Sequence, residues 1–185
     1  MSDDVIGKLV SIQTGVIQDL HYYKESNPEF RDWTTAIFKV PVEGPVFVGT
    51  LGVQGDHQAD QVHHGGPDQA VMAYCADYYP EWSKELNIDP LQYGSFGENL
   101  CVTRLNETNV CEGDTYEIGE VLLQVTRLRQ PCFKQERRLD RPGLVRQIVS
   151  NGRSGWYHRV LREGFIEAGL PIKIVNRVEG ARPLR

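Results

Sequence analysis

Tyr116-Glu117-Ile118-Gly119-Glu120-Val121-Leu122-Leu123-Gln124-Val125 places two apolar runs on either side of a two-residue, glycine-containing turn. A loop this short joins antiparallel strands, and glycine supplies the positive φ that the tightest hairpin turns need. The stretch therefore predicts a β-hairpin, with its second arm continuing to Arg127. Outward from it, short runs rich in β-branched and aromatic residues recur at 5–12, 36–40, 46–53, 70–75, 100–103, 156–161 and 172–175. Gly, Pro, Asn or Asp separates most of them, as strand boundaries require. Helical signal is confined to 77–86, where Asp77 can cap, and to 141–150, where Pro142 suits a first turn and Asn151-Gly152 the exit. Many strands, few helices and no regular βαβ alternation predict a mostly β fold, a barrel or sandwich decorated by a few short helices.

The 185 residues, 40% of them apolar, suffice for a sizeable core and match a single domain over 1–185. A net charge of −5 argues against stable nucleic-acid binding, which needs a basic face. Met1-Ser2-Asp3-Asp4 is acidic and leads into a strand pattern, unlike the basic and apolar regions of a signal peptide. No stretch approaches the roughly 18 apolar residues of a membrane span, so the expectation is a cytoplasmic chain with no membrane partner. Cys75, Cys101, Cys111 and Cys132 show neither zinc-type spacing nor a disulfide framework. Burial as small hydrophobes accounts for the first three.

Three stretches are too rich in glycine and polar groups to be plain connections. The first runs from Gly55 to Asp68. Its three histidines and three aspartates have neither the spacing of a zinc-binding helix nor that of a calcium loop. Local hydrogen bonds to loop backbone explain Asp56, Asp60 and Asp68 more simply. Gly65-Gly66 differs, because consecutive glycines bring backbone N–H groups close to an anionic or planar ligand. In the second, Gly94-Ser95-Phe96-Gly97-Glu98-Asn99-Leu100, Gly97 permits a positive φ, while Ser95 and Asn99 can bond either backbone or the edge of a heterocycle.

The third, Arg127-Leu128-Arg129-Gln130-Pro131-Cys132-Phe133-Lys134-Gln135-Glu136-Arg137-Arg138, sets five basic residues around one cysteine. If they converge in space the thiolate is favoured, and the thiolate is both nucleophile and soft-metal ligand. Pro131 would fix the chain that presents it. An inert thiol beside a solvated basic run is the other reading of the same residues. Lys39, the lone charge in its apolar run, is either a snorkelling surface lysine or a phosphate contact, and the sequence favours the former.

Taken in order, His64-Gly65-Gly66-Pro67-Asp68-Gln69-Ala70-Val71, Gly94-Ser95-Phe96-Gly97-Glu98-Asn99-Leu100, Gly113-Asp114 and Arg129-Gln130-Pro131-Cys132-Phe133-Lys134 resemble the MOSC domain, named for the C-terminal domain of molybdenum cofactor sulfurase. The stand-alone YiiM-type bacterial branch is the nearest in order and spacing, and the similarity runs from Gly7 to Arg177. It implies a distorted β-barrel that binds the molybdenum cofactor, a molybdopterin carrying molybdenum, with Cys132 as metal ligand. It further implies reduction of small N-hydroxylated compounds, including hydroxylaminopurines and hydroxylamines, with electrons from a flavoprotein reductase. Two features depart from the pattern: Arg127-Leu128 stands where many relatives carry Gln-Pro, and the chain ends at Arg185 where longer YiiM-type chains continue into a helical segment.

On this resemblance the cofactor-binding residues are Lys39, Gly65, Gly66, Phe96, Gly97, Glu98, Asn99, Arg129, Pro131 and Lys134, and the catalytic ones Cys132 and His64. Arg129 and Lys134 would support the anionic cofactor, with Lys39 a further phosphate contact. Glycine backbone and the Asn99 amide would meet the pterin edge, and His64 would donate a proton or a hydrogen bond. The alternative is a sulfur or cofactor carrier that uses Cys132 as a persulfide or cofactor ligand. Pyridoxal phosphate on a lysine is weaker, since nothing in the spacing points to it.

Overall fold

A computed structural model describes residues 4–21, 32–60 and 65–185. In chain order its strands are β1 (Val5–Thr14), β2 (Gln18–Leu20), β3 (Trp33–Thr35), β4 (Val40–Pro41), β5 (Val46–Gly49), β6 (Gly52–Val53), β7 (Val71–Cys75), β8 (Leu100–Thr103), β9 (Thr115–Ile118), β10 (Val121–Leu128), β11 (Trp156–Arg162), β12 (Gly164–Ile166) and β13 (Pro171–Asn176). The α-helices among the described residues are short: α1 (Tyr79–Leu86), α2 (Phe133–Leu139) and α3 (Leu144–Asn151).

Seven strands close a barrel. They run in the order β13-β9-β10-β11-β7-β8-β1, and β1 pairs back onto β13 through Val5↔Lys173 and Lys8↔Pro171. Closure removes the exposed edges that an open sheet would leave. Within the barrel only β7 and β8 run parallel, as Ala73↔Leu100 and Cys75↔Val102 show. The hairpin at 116–125 forms as its turn chemistry predicts: Ile118 pairs with Val121, and Gly119 takes φ 57°. Strand β4 extends β1 through Gln13↔Pro41, β12-β5-β6 forms a small second sheet, and β2 pairs with β3.

Leu9, Ile12, Val48, Leu100, Tyr116, Leu123 and Trp156 belong to the barrel core. Strand β7 is buried along its whole length because its two faces serve two cores. Val71 and Ala73 join the barrel core, while Met72 and Tyr74 join a second one with Trp82, Phe96, Leu144 and Ile148 beneath α1 and α3. There the Tyr74 and Phe96 rings stack with centroids 4.7 Å apart. The Tyr74 hydroxyl accepts the Trp82 Nε1–H at 2.7 Å and donates to the Arg153 carbonyl at 3.0 Å. Burying one such ring contributes about 1.5–3 kcal/mol.

Several sequence expectations need correction. Residues 36–40 are not a strand: β3 ends at Thr35 and β4 begins at Val40, with Ala36 and Ile37 buried between them. The run 46–53 is two strands joined by a tight turn, with Val48 paired to Val53. Asp77 does not cap α1. Its Oδ2 instead accepts the Arg104 N–H at 2.9 Å, and Tyr78 is the N-cap without a side-chain bond. Pro142 precedes α3 rather than opening it, because Gly143 in the left-handed region is the N-cap, while Gly152 ends that helix as expected. Helix α2 has no counterpart among the helices expected from sequence.

Candidate functional site

Cys132 sits where β10 hands over to α2. As N-cap residue its carbonyl accepts the Gln135 N–H at 3.0 Å, and Gln135 Oε1 accepts the Cys132 N–H at 3.3 Å. Gln135 Nε2 donates to the Phe96 carbonyl at 3.1 Å. One fully buried amide therefore ties the Cys132 backbone to the loop at 94–99. Cys132 is half-buried, whereas Cys75, Cys101 and Cys111 are buried as expected. Burial pushes the Cys75 thiol up to about 12, and raises Cys101 as well, with Glu98 adding to the effect.

The thiol opens on a cavity whose wall also carries Lys39, Gly97, Asn99, Arg129 and Lys134, all singled out from sequence. Arg129 is 5% exposed, and its backbone N–H donates to the Gly155 carbonyl at 2.9 Å. Its buried Nε and Nη1 have no hydrogen-bond partner among the described residues. Guanidinium nitrogens removed from water without partners are costly, so Arg129 keeps two unmet donors beside the cavity.

Lys39 does not snorkel. It is 8% exposed, and its Nζ lies 2.6 Å from Asp56 Oδ2. Burial lowers the pKa of the ammonium, and Asp56 works against that shift. Asp56 is a hub: Oδ2 also accepts the Asn99 Nδ2–H at 2.7 Å, and Oδ1 the Gly15 N–H at 2.8 Å. Asn99 Oδ1 in turn accepts the Met72 N–H at 3.1 Å. The Asn99 amide is thus engaged with the chain on both sides, rather than free for a heterocycle edge.

Glu98 and Phe96 lie behind the wall, not on it. Glu98 is fully buried and accepts N–H groups from Gly94 at 2.5 Å and Phe96 at 3.0 Å, together with the Tyr79 hydroxyl and the Cys101 thiol. The carboxylate knits the loop that presents Gly97. At Gly97, with φ 86°, a Cβ would come within 2.9 Å of the Ile37 side chain, so only glycine lets the loop approach the opposite wall this closely.

The five basic residues around Cys132 do not converge. Arg129 and Lys134 share its cavity, and Lys134 Nζ also reaches the Thr34 carbonyl at 3.3 Å. Arg137 turns to the Trp33 and Phe133 rings, while Arg138 covers Phe38 and donates to the Ile37 carbonyl. These contacts clamp the 33–38 segment, which supplies Thr35, Ala36 and Ile37 to the wall. Arg127 lines a separate groove with Gly65, Gly66, Asp68 and Arg159. Pro131 lies in a depression that joins this groove to Cys132. The glycine pair is therefore outside the main cavity, and Gln69 lines all three hollows.

His64 lies outside the described residues. The wall also carries residues given no site role from sequence, among them His57, Asp60, Gln69 and Tyr157. His57 stands in the first polar stretch and could have been found there. Tyr157 sits in a strand where nothing in the alternation marks it.

The family model of the MOSC domain matches residues 60–173. The chain is 37% identical over 171 residues to YflK, an uncharacterized protein of Bacillus subtilis, covering 92% of this chain and 74% of that one. It is 42% identical over 147 residues to a Gibberella moniliformis protein named reductase, covering 78% of this chain but 26% of that one. Among solved structures, YiiM from Geobacillus stearothermophilus matches with a TM-score of 0.76 at 36% identity, over 96% of this chain and 80% of its own. The closed barrel, the few short helices and these likenesses agree, and the chain belongs to the MOSC domain family.

Proposed function

We propose that this chain is a molybdenum-cofactor-dependent reductase of N-hydroxylated compounds, with the Cys132 thiolate as metal ligand. The observation that carries the reading is the pairing, on one cavity wall, of a half-buried thiol with a buried guanidinium that lacks partners among the described residues. The two groups fit a molybdopterin, soft sulfur for the metal and a cation for the anionic remainder. Membership of the MOSC family and a relative named reductase support an oxidoreductase.

When bound, the cofactor supplies two-electron redox chemistry. The chain's own residues bind and orient. Cys132 anchors, Arg129 and Lys134 offset negative charge, and Gly97 lets the loop close on the wall. Conversion of an N–OH compound to amine and water takes up two electrons and two protons, and a flavoprotein reductase is the proposed electron source. His57 is the described imidazole on the wall suited to pass on a proton.

Molybdenum analysis of wild type and Cys132→Ser, produced in cells that make the cofactor, tests the ligand assignment. The variant should lose most of its metal, and equal content in both would remove the claim. Supplying the loaded wild type with a chemical reductant and a hydroxylaminopurine tests the reaction. Full metal content without turnover would overturn the reductase reading in favour of a carrier.

A further inference from the structure

We propose that Tyr157 orients the substrate at this site: its ring lies against a planar N-hydroxylated compound beside Cys132, and its hydroxyl donates to that compound's N–O oxygen. The identity of the ligand rests on the function proposed above, whereas the placement of the phenol rests on the chain alone. Four tyrosines are buried among the described residues, Tyr74, Tyr79, Tyr116 and Tyr157. The first three donate within the chain, to the Arg153 carbonyl, Glu98 and Asp114. The Tyr157 hydroxyl has no hydrogen-bond partner among the described residues, yet it is not one of their solvent-inaccessible unpaired atoms, which are Trp33 Nε1, Arg129 Nε and Arg129 Nη1. A buried hydroxyl would need a partner, so this oxygen is open to the hollows that the residue lines.

Strand alternation sets its direction. Trp156 joins the barrel core, while Tyr157 faces the other way with Met72, its partner across β7 and β11. The main cavity and the depression at Pro131 meet at Gln69, Cys132 and Tyr157. The thiol therefore has two open sides. One carries the cations Arg129 and Lys134, and on the other, apart from Arg127, stand the uncharged Leu128, Gln130 and Pro131. An anionic cofactor suits the first side. A neutral planar compound suits the second, which at about 330 Å³ has room for a purine-sized ligand. A phenol at the junction meets such a ligand at the end that approaches Cys132, ring against ring and hydroxyl to oxygen.

Tyr157→Phe removes a hydroxyl without partners and keeps the ring, so it should melt as wild type does. It should also keep the molybdenum content of wild type, because the hydroxyl serves the substrate and not the cofactor. Both readings separate an orienting role from a structural one.

Titration with a hydroxylaminopurine, with no reductant present so that the ligand is bound and not consumed, tests the proposal. Wild type should bind saturably, Tyr157→Phe about tenfold more weakly, and Tyr157→Leu, which loses the ring as well, more weakly still. Absence of saturable binding by wild type would overturn the assignment, as would equal affinity in Tyr157→Phe. A lower melting temperature for Tyr157→Phe would make the hydroxyl structural, and a lower molybdenum content would put it on the cofactor, and either overturns the assignment too. These outcomes are separable from the tests of function. Binding that depends on Tyr157 without turnover would remove the reductase reading and leave this site standing, whereas turnover with unchanged affinity in Tyr157→Phe would do the reverse.

Discussion

A charged side chain inside an apolar run has two stable fates, reaching water or finding a buried partner, and Lys39 takes the second. Its partner Asp56 lies 17 positions away, so no local pattern could announce the pair. Both side chains are at least nine-tenths buried. Removing one member of such a pair leaves the other uncompensated, whereas removing both charges relieves the cost. Lys39→Met should lower the unfolding free energy by about 3 kcal/mol. Combining it with Asp56→Asn, which keeps a carbonyl for Gly15 or Asn99, should recover part of that loss. Urea unfolding of the two single variants and the double variant measures the coupling, and simple additivity would show that the pair does not act as a unit. Cys132 is more legible than Lys39. Its proline and its basic neighbours are adjacent in sequence, and it is the one thiol of the four that is not fully buried. Adjacency is not convergence, however, since Arg137 and Arg138 turn to aromatic rings instead of to the sulfur.

Helix α2 shows why one element escapes the sequence. Phe133-Lys134-Gln135-Glu136-Arg137-Arg138-Leu139 has no apolar stripe, and seven residues are too few for a helix to hold in water by itself. Tertiary contacts hold it instead: the reciprocal bonds between Cys132 and Gln135, the Gln135 amide on the Phe96 carbonyl, and the arginines over Trp33 and Phe38. Strands at 100–103 and 121–127 are readable because their apolar content is local, while β2 and β12, three residues each, carry too little of it. Gln135→Ala would remove the bonds to Cys132 and to Phe96 together and leave the Phe96 carbonyl unpaired. Stability should fall by about 1–3 kcal/mol, read by denaturant unfolding. If Gln135 also sets the position of the thiol, Gln135→Ala should change the rate at which Cys132 reacts with a thiol reagent under native conditions. An unchanged rate would confine Gln135 to stability.

Barrel closure is reached from the sequence through the resemblance to the MOSC domain and not through periodicity, because alternation reports which face of a strand is buried and not whether the last strand returns to the first. The β1 pairing with β13 joins residues more than 160 positions apart. Closure also makes an interior, and that interior holds polar groups whose titration couples acid to unfolding. His158, 2% exposed, lies among the barrel residues with Nε2 accepting the Trp156 Nε1–H at 3.2 Å and Nδ1 positioned to donate to the Val71 carbonyl at 3.4 Å. Burial pushes its pKa down from 6.5 to about 4, against the weaker opposing effect of the Val71 bond. In the folded chain the ring stays neutral to about pH 4, while in the unfolded chain it takes a proton below about pH 6.5, so the unfolded state binds more protons in between. Stability is therefore full above that window and falls as the pH drops through it, by about 3 kcal/mol across the whole window. Asp114 acts in the same sense at lower pH. Burial alone would raise its carboxyl, but Arg177, the Cys111 N–H and the Tyr116 hydroxyl hold it below the usual range, and its contribution is lost only as it protonates. His158→Gln removes the first of these two titrations and keeps a polar group beside Trp156. Unfolding free energies at pH 7 and pH 4.5 should then differ less for the variant than for wild type by about 2–3 kcal/mol. Parallel pH profiles for the two proteins would place the acid sensitivity elsewhere in the barrel.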